Sequence, residues 1–272
     1  MTSVESGERR TRGRPRAFHD KTEQNTIKSL DRALVVLRAL SRSEGIALSE
    51  LARQLGESPA TLYRILVTYQ RHNMVDLDEE TQGWRIGSGA FLVGSAFLRR
   101  TSLVERARPI MRELMEDTGE TANLGIRRGG EVLFLSQVET HAPIRAFFPP
   151  GTLSPLHASG IGKALLSQMN VSHLEKLLGE LPLESFTEKT HRAADTLTED
   201  LKRASADGFA VDDEERTEGM RCVAAPVFNA FGEAVAGISV SGPTSRVSRD
   251  DVPRLGAAVQ DAAKRLTAAI GG

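Results

Sequence analysis

LSELARQLGESPATLYR, Leu48 to Arg64, is the stretch from which the rest of the chain is best read. Leu48, Leu51, Ala52 and Leu55 share one apolar helical face, and Gly56 breaks that helix. Ser58 is placed to cap a second helix, with Pro59 at its first helical position. Leu62, Ile65, Leu66 and Tyr69 then repeat at helical spacing. Ala60, Thr61, Tyr63 and Arg64 lie between those apolar positions. They place small, hydroxylated, aromatic and basic groups at the start of a helix, where a recognition helix meets base edges and phosphates. An ordinary helical hairpin is the plain alternative.

Both flanks favour the DNA-binding reading. Upstream, Ile27, Leu30, Leu34, Leu37 and Leu40 follow helical spacing, widened by Val35 and Val36, and predict the third helix of a helix-turn-helix core. Downstream, Met74, Val75 and Leu77 read as a strand, Asp78 to Gly83 as a polar turn, and Trp84 to Ile86 as a second strand. This is a wing in which Arg85 faces phosphate while Trp84 or Ile86 packs inward. Its tip carries Asp78, Glu79 and Glu80, so the flank of the wing is expected to approach DNA.

Five arginines, Arg9, Arg10, Arg12, Arg14 and Arg16, fall within RRTRGRPR at residues 9–16. Gly13 and Pro15 oppose a helix there, and an extended Arg-Gly-Arg-Pro-Arg run suits a narrow minor groove, much like an AT-hook core. A solubilising tail is the alternative for any charge run. The helix-turn-helix that follows favours a DNA-binding arm, disordered without DNA.

The chain has 272 residues, enough for about two domains. Hydrophobic content of 40% supports packed cores, and a net charge of −1 leaves basic charge concentrated at the N-terminal end. The single cysteine, Cys222, excludes an intramolecular disulfide and fits a reducing cytoplasm. No apolar run suits a membrane span, and the arginine-rich start lacks the apolar core of a secretory signal.

The expected organisation is a basic arm over 1–24, a winged helix-turn-helix over 25–87, a linker helix over 88–102 and an effector domain over 103–272. Phe91, Leu92, Phe97 and Leu98 make an apolar strip on the linker helix, a candidate dimerisation element. Leu103, Ala107, Ile110, Leu114 and Met115 carry the next helix, with Pro109 placed near its start. From Ala122 the period becomes that of strands. NLGIRR and EVLFLSQVE flank the turn signal Gly129-Gly130, and PIRAFF is read as a third strand. A helix begins in HASGIGKALLSQM, and VSHLEKLLGEL and LTEDLKRASADG are helical. FAVDDEE, CVAAPVFN and AVAGISVSG read as strands, and an amphipathic helix through Val252, Leu255, Val259, Ala262, Leu266 and Ile270 closes the chain. A mixed sheet flanked by helices, in an α+β fold, is the expected effector domain.

From Gly208 the chain reads GFAVDDEERTEGMRCVAAPVFN. Gly208, Asp212, Glu215, Cys222, Val223, Ala224, Val227, Phe228 and Asn229 fall at the spacings of the IclR-type transcriptional regulator signature. The order of helix, helix-turn-helix, wing and linker helix also resembles that family, over about residues 25 to 270. Ala60 stands where the family commonly has serine, and Trp84 where it commonly has tyrosine. The resemblance implies a winged helix-turn-helix joined to a GAF-like effector domain. It also implies homodimers or dimers of dimers on near-palindromic double-stranded operators, acting as repressors or activators under a small metabolite.

A sensor needs a pocket with a few convergent polar groups. His157 to Lys163 offers Ser159, Gly160, Ile161 and Gly162 at a helix start, an arrangement that suits a carboxylate, although a plain capped helix reads the same way. Strand alternation puts Cys222 with Ala224, and Ser239 with Ser241, on single faces. A lone strand cysteine is also an ordinary core residue. Asp212, Cys222, Ser239 and Ser241 resemble, in type and spacing, the pocket of family members that bind glyoxylate or pyruvate, which implies a small 2-oxo acid effector. Leu124, Ile126, Leu133 and Met220 are the expected apolar walls. His141, His157, His173 and His191 are scattered without ligand spacing, so no metal site is assigned. Cys222 lacks a local nucleophile motif, and neither catalytic residues nor a cofactor are expected. The competing function is a metabolite-binding or enzymatic module with a vestigial DNA-binding domain.

Overall fold

A computed structural model describes residues 26–101 and 103–272, so the arginine-rich arm, with Arg12, Arg14 and Arg16, lies outside the described residues, as do the side chains of Phe97 and Leu98. The chain divides into two compact units, one up to Phe97 and one from Leu98.

The first unit holds α1 (Lys28–Leu40), β1 (Ile46–Ala47), α2 (Leu48–Leu55), α3 (Pro59–Arg71), β2 (Val75–Leu77) and β3 (Gly83–Ile86). Gly56 closes α2 at φ 63, a left-handed conformation that costs glycine little, with its N–H donating to the Ala52 carbonyl. Ser58 caps α3 by accepting from the Thr61 N–H at 3.2 Å, with Pro59 in the first turn. Leu51, Ala52, Leu62, Leu66, Val75 and Trp84 pack with Val36 and Leu40 in one core. The strands order β1-β3-β2, all antiparallel. The two-residue β1, which pairs Ile46 with Trp84, extends the wing beyond the expected hairpin.

The expected stripe on α1 is only half used. Val36 and Leu40 are buried and Ala33 and Leu37 partly so, whereas Ile27, Leu30, Leu34 and Val35 stay exposed. The helix carries two neighbouring apolar faces, and this small core covers one.

The second unit begins within the linker helix α4 (Ser88–Thr101) and continues with α5 (Leu103–Thr118). A side chain at Gly89 would come 2.7 Å from the carbonyls of His72 and Asn73, so the start of α4 lies tightly on the turn after α3. Pro109 sits well inside α5, further along than expected. The strands that follow are β4 (Thr121–Arg128), β5 (Glu131–Val138), β6 (Leu153–Pro155), β7 (Ala210–Asp213), β8 (Met220–Phe228) and β9 (Ala234–Pro243). They form one sheet in the order β6-β5-β4-β9-β8-β7. Every pairing is antiparallel, so the sheet is not mixed: four of its five pairings join strands consecutive in the chain, and β4 with β9 is the exception. PIRAFF forms no strand. The edge beside β5 is taken by β6, and Phe148 instead stacks on Phe134 at 4.9 Å.

α5 and α9 (Val252–Ala269) cover one face of the sheet, where Leu124, Val223, Ile238 and Val240 join Met111, Leu255 and Leu266. The opposite face receives α6 (Gly160–Leu166), which follows a 3-10 turn at Leu156–Ala158. α7 (Val171–Glu180) and α8 (Ala194–Asp207) complete that second core with Leu174, Leu178, Leu197 and Leu201.

Leu62 is fully buried in the N-terminal core. Leu62→Ala is expected to cost that unit about 2–5 kcal/mol through lost contacts and residual cavity. Calorimetry should show the loss in the N-terminal transition while the C-terminal one stays put. A cost under about 1 kcal/mol would contradict this packing of α3.

Candidate functional site

On the outer surface of α3, Ala60, Tyr63, Arg64 and Val67 are exposed. Ser58 and Thr61 are engaged with each other. The Ser58 hydroxyl accepts from the Thr61 N–H and donates to Thr61 Oγ1 at 2.9 Å, so its work is the cap. Arg85 is exposed on β3 while Trp84 packs inward, and its guanidinium pairs with Asp78 across the wing at 3.4 Å. An exposed pair of this kind is weak, and phosphate can displace it. Hydrogen bonds from Thr81 and Glu80, with the charge of Arg85, hold the Asp78 carboxyl below its ordinary range.

In the C-terminal unit the polar residues converge through strand register. Cys222 on β8 pairs with Ser241 on β9, and Ala224 with Ser239. On the other side of β9, Asn123 of β4 pairs with Ser239. Asn123 is fully buried, and its amide donates to Ser239 Oγ at 3.4 Å and Ser241 Oγ at 3.3 Å while its carbonyl accepts from Gln137 at 3.0 Å. The start of α6 closes over this wall. A side chain at Gly160 would come 2.8 Å from Cys222 Sγ, and one at Gly162 would meet the Leu156 carbonyl at 2.1 Å, so both positions require glycine. Ser159 caps the helix through Gly162 N–H at 3.4 Å.

These elements enclose a cavity of about 20 Å³. Ser159, Gly160, Ile161, Asp212, Cys222, Ser239 and Ser241 line it, with Phe134, Phe148, Ser154, Ala158 and Arg216. Gly162 sits one step back, against Leu156. Leu124 does not join them. It faces α5 and α9, as do Ile126 and Leu133, because Asn123 and Gly125 take the cavity face of β4. The aromatic wall from Phe134 and Phe148, the Asn123 amide and Arg216 escaped the sequence reading. For Asn123 a signal existed: Thr121 and Asn123 alternate in phase as Ser239 and Ser241 do.

Burial, with the charge of Glu215 nearby, raises the Asp212 carboxyl to about 7. The opposing influences are Lys163 and the N–H groups of Glu215, at 2.8 Å, and Arg216. Burial and the proximity of Asp212 push the Cys222 thiol up to about 11, so it stays protonated at neutral pH and is a poor nucleophile.

Behind the cavity, the ammonium of Lys163 is completely buried, 2.7 Å from Asp200 and 2.5 Å from Glu215. Burial alone would lower its pKa, but the two carboxylates outweigh that and raise it. Burial holds Glu215 above its ordinary range, whereas His191 and Lys163 hold Asp200 below. His191 lies 3.5 Å from Asp200 and 3.7 Å from Glu215, so the fold gathers three groups able to ligate a metal that the sequence left apart. The Lys163 ammonium already stands between their carboxylates as the cation.

The chain matches two family models. Residues 29–79 match the IclR helix-turn-helix domain, and residues 95–268 match the bacterial transcriptional regulator IclR C-terminal domain. It is 52% identical over 261 residues to the HTH-type transcriptional regulator BhcR of Paracoccus denitrificans, covering 95% of this chain and 94% of that one. It is 39% identical over 264 residues to the transcriptional repressor IclR of Escherichia coli, covering 96% of each. Among solved structures, an IclR transcriptional regulator from Alicyclobacillus acidocaldarius superposes with a TM-score of 0.79 at 25% identity, covering 90% of this chain and all of that one. With both domains matched in order, the chain belongs to the IclR family of transcriptional regulators, a DNA-binding helix-turn-helix domain joined to an effector-binding domain.

Proposed function

We propose that the effector is a small 2-oxo acid of the size of glyoxylate or pyruvate, bound in the cavity under α6. The observation that carries this is the wall of Ser239, Ser241 and Cys222, backed by the Asn123 amide that donates to both serines, with Asp212 on the same cavity. Hydroxyls, an amide and a thiol at one buried spot are more hydrogen-bonding capacity than a packed core uses. A cavity of about 20 Å³ has room for roughly one water. A two- or three-carbon acid therefore enters with small shifts of its lining, whereas a ring demands rebuilding of the sheet face.

On the DNA side, Tyr63 and Arg64 of α3 read the operator, Arg85 follows the phosphates from the wing, and Arg12, Arg14 and Arg16 of the arm enter the adjacent minor groove. Exposed apolar residues at and on α1 (Ile27 just before it, Leu30 and Leu34 on it) and on α4 (Phe91, Leu92, Val93) support assembly as a homodimer or a dimer of dimers on a near-palindromic operator. The effector acts on DNA affinity only through its different affinity for the two protein states.

Isothermal titration of the full chain with pyruvate and glyoxylate tests the effector. Ser241→Ala removes one hydrogen bond from a buried polar ligand, a loss of about 1–3 kcal/mol, while operator affinity without effector holds. Binding of both acids unchanged in Ser241→Ala and in Ser239→Ala would overturn the site, as would failure of the parent to bind either.

The titration of Asp212 gives a second test. The groups facing it are Glu215, Lys163, Arg216 and Cys222. A bound anion favours the neutral carboxyl, so affinity should be highest below pH 7 and fall by up to about tenfold per unit above it. Asp212→Asn should flatten the profile. A parent affinity that does not change between about pH 6 and 8 would contradict the placement of the anion beside Asp212.

Arg64→Ala should weaken operator binding by about 1–3 kcal/mol and leave pyruvate binding intact. Loss of both would mark Arg64 as structural.

A further inference from the structure

We propose that Arg216 is the carboxylate partner of the effector and gives the cavity its selection for anions, an inference that rests on the 2-oxo-acid reading of the same site. Asp212 and Arg216 are the two charged residues lining the cavity. Lys163, the nearest other cation, is already matched by Asp200 and Glu215. Among the described residues, no carboxylate lies within ion-pair distance of Arg216. Its guanidinium is instead held over the ring of Phe186, with Cζ 3.9 Å from the centroid. Stacking leaves the edge of a guanidinium, with its row of N–H donors, open to a planar acceptor.

The local backbone is built to hold that posture. Glu214 takes φ 64, a left-handed conformation uncommon outside glycine, and the chain turns there. Thr187 Oγ1 donates to the Glu214 carbonyl at 2.7 Å, and Thr190 Oγ1 donates to the Glu215 carbonyl at 2.6 Å. Asp212 accepts from the Glu215 N–H at 2.8 Å. Glu215 is thereby turned towards Lys163, while Arg216 is set at the cavity. The residue next to Thr187 is Phe186, so the segment that pins the turn also supplies the stacking surface. Strain and pinning at one turn, with an unmatched guanidinium beside hydroxyls, describe a prepared binding group. A carboxylate held there is bidentate to Arg216, and the 2-oxo oxygen faces Ser239 and Ser241.

The test is titration of the full chain with pyruvate and with its uncharged isostere pyruvamide, for the parent, Arg216→Gln and Arg216→Lys. The parent is expected to prefer pyruvate by about 10- to 100-fold. Arg216→Gln should erase that preference by losing pyruvate affinity, with pyruvamide binding and the thermal midpoint unchanged, and Arg216→Lys should restore part of it. Equal loss of both ligands would show that Arg216 only holds the turn against Phe186 and would overturn the proposal. Pyruvate binding by Arg216→Gln at parental strength would also overturn it while leaving the 2-oxo-acid reading intact. A parent that binds neither compound would overturn that reading too.

Discussion

The register of β8 against β9 is the constraint on which the C-terminal unit depends. Pairing Cys222 with Ser241 and Val223 with Val240 sends Val223, Ile238 and Val240 into the core beneath α5 and α9. The same pairing turns Cys222, Ser239 and Ser241 to the other face. A slip of β9 by one residue would bury the Ser239 and Ser241 hydroxyls among aliphatic side chains and lift Ile238 and Val240 out. The apolar core therefore positions the polar wall, and Asn123 on β4 ties the two serines together from the far side. A hydrophobic demand on one sheet face thus becomes a chemical surface on the other.

Lys163 links that surface to the helices. Its ammonium joins α6 to Asp200 on α8 and to Glu215 in the turn after β7, the turn that also carries Arg216. Burying these charges together brings little net stability, but removal of Lys163 would leave two neighbouring carboxylates without their cation. Such a cluster favours discrete arrangements of α6, α8 and the β7–β8 turn over gradual ones. The start of α6 and the residue after Glu215 both line the cavity, so a ligand bound there would touch groups already locked to α8. Asp212 sits between the two systems, accepting the Glu215 N–H while facing Cys222 across the β7–β8 pairing.

Local chemistry was readable in the sequence wherever it determines local structure. Gly56, Ser58 and Pro59 announce the turn between α2 and α3, and the alternation in β8 and β9 announces two faces. What escaped depends on partners distant in the chain. Ile27, Leu30 and Leu34 make as good a helical stripe as Ala33, Val36, Leu37 and Leu40, and only α3 and the wing decide between them. PIRAFF is apolar enough for a strand, but the edge of β5 belongs to β6. Hydrophobicity alone does not say which face Leu124 takes; its neighbour Asn123, on the face of Ser239 and Ser241, sends it to the core under α5 and α9. Arg216 lies inside the signature stretch from Gly208 to Asn229 but is not one of its constrained positions, so the motif does not mark it for a binding role. Its significance comes from Phe186, the threonines that follow it and the absence of a carboxylate within ion-pair distance among the described residues.

The central claim is that a small 2-oxo acid occupies the space between the Ser239–Ser241 wall and the start of α6. A crystal structure of the full chain grown with pyruvate tests it most directly. The account predicts one pyruvate per chain in that cavity, its carboxylate against Arg216 and its 2-oxo oxygen within hydrogen-bond distance of Ser239 or Ser241. Pyruvate seated anywhere else in the C-terminal unit, or a cavity left empty at saturating pyruvate, would contradict it.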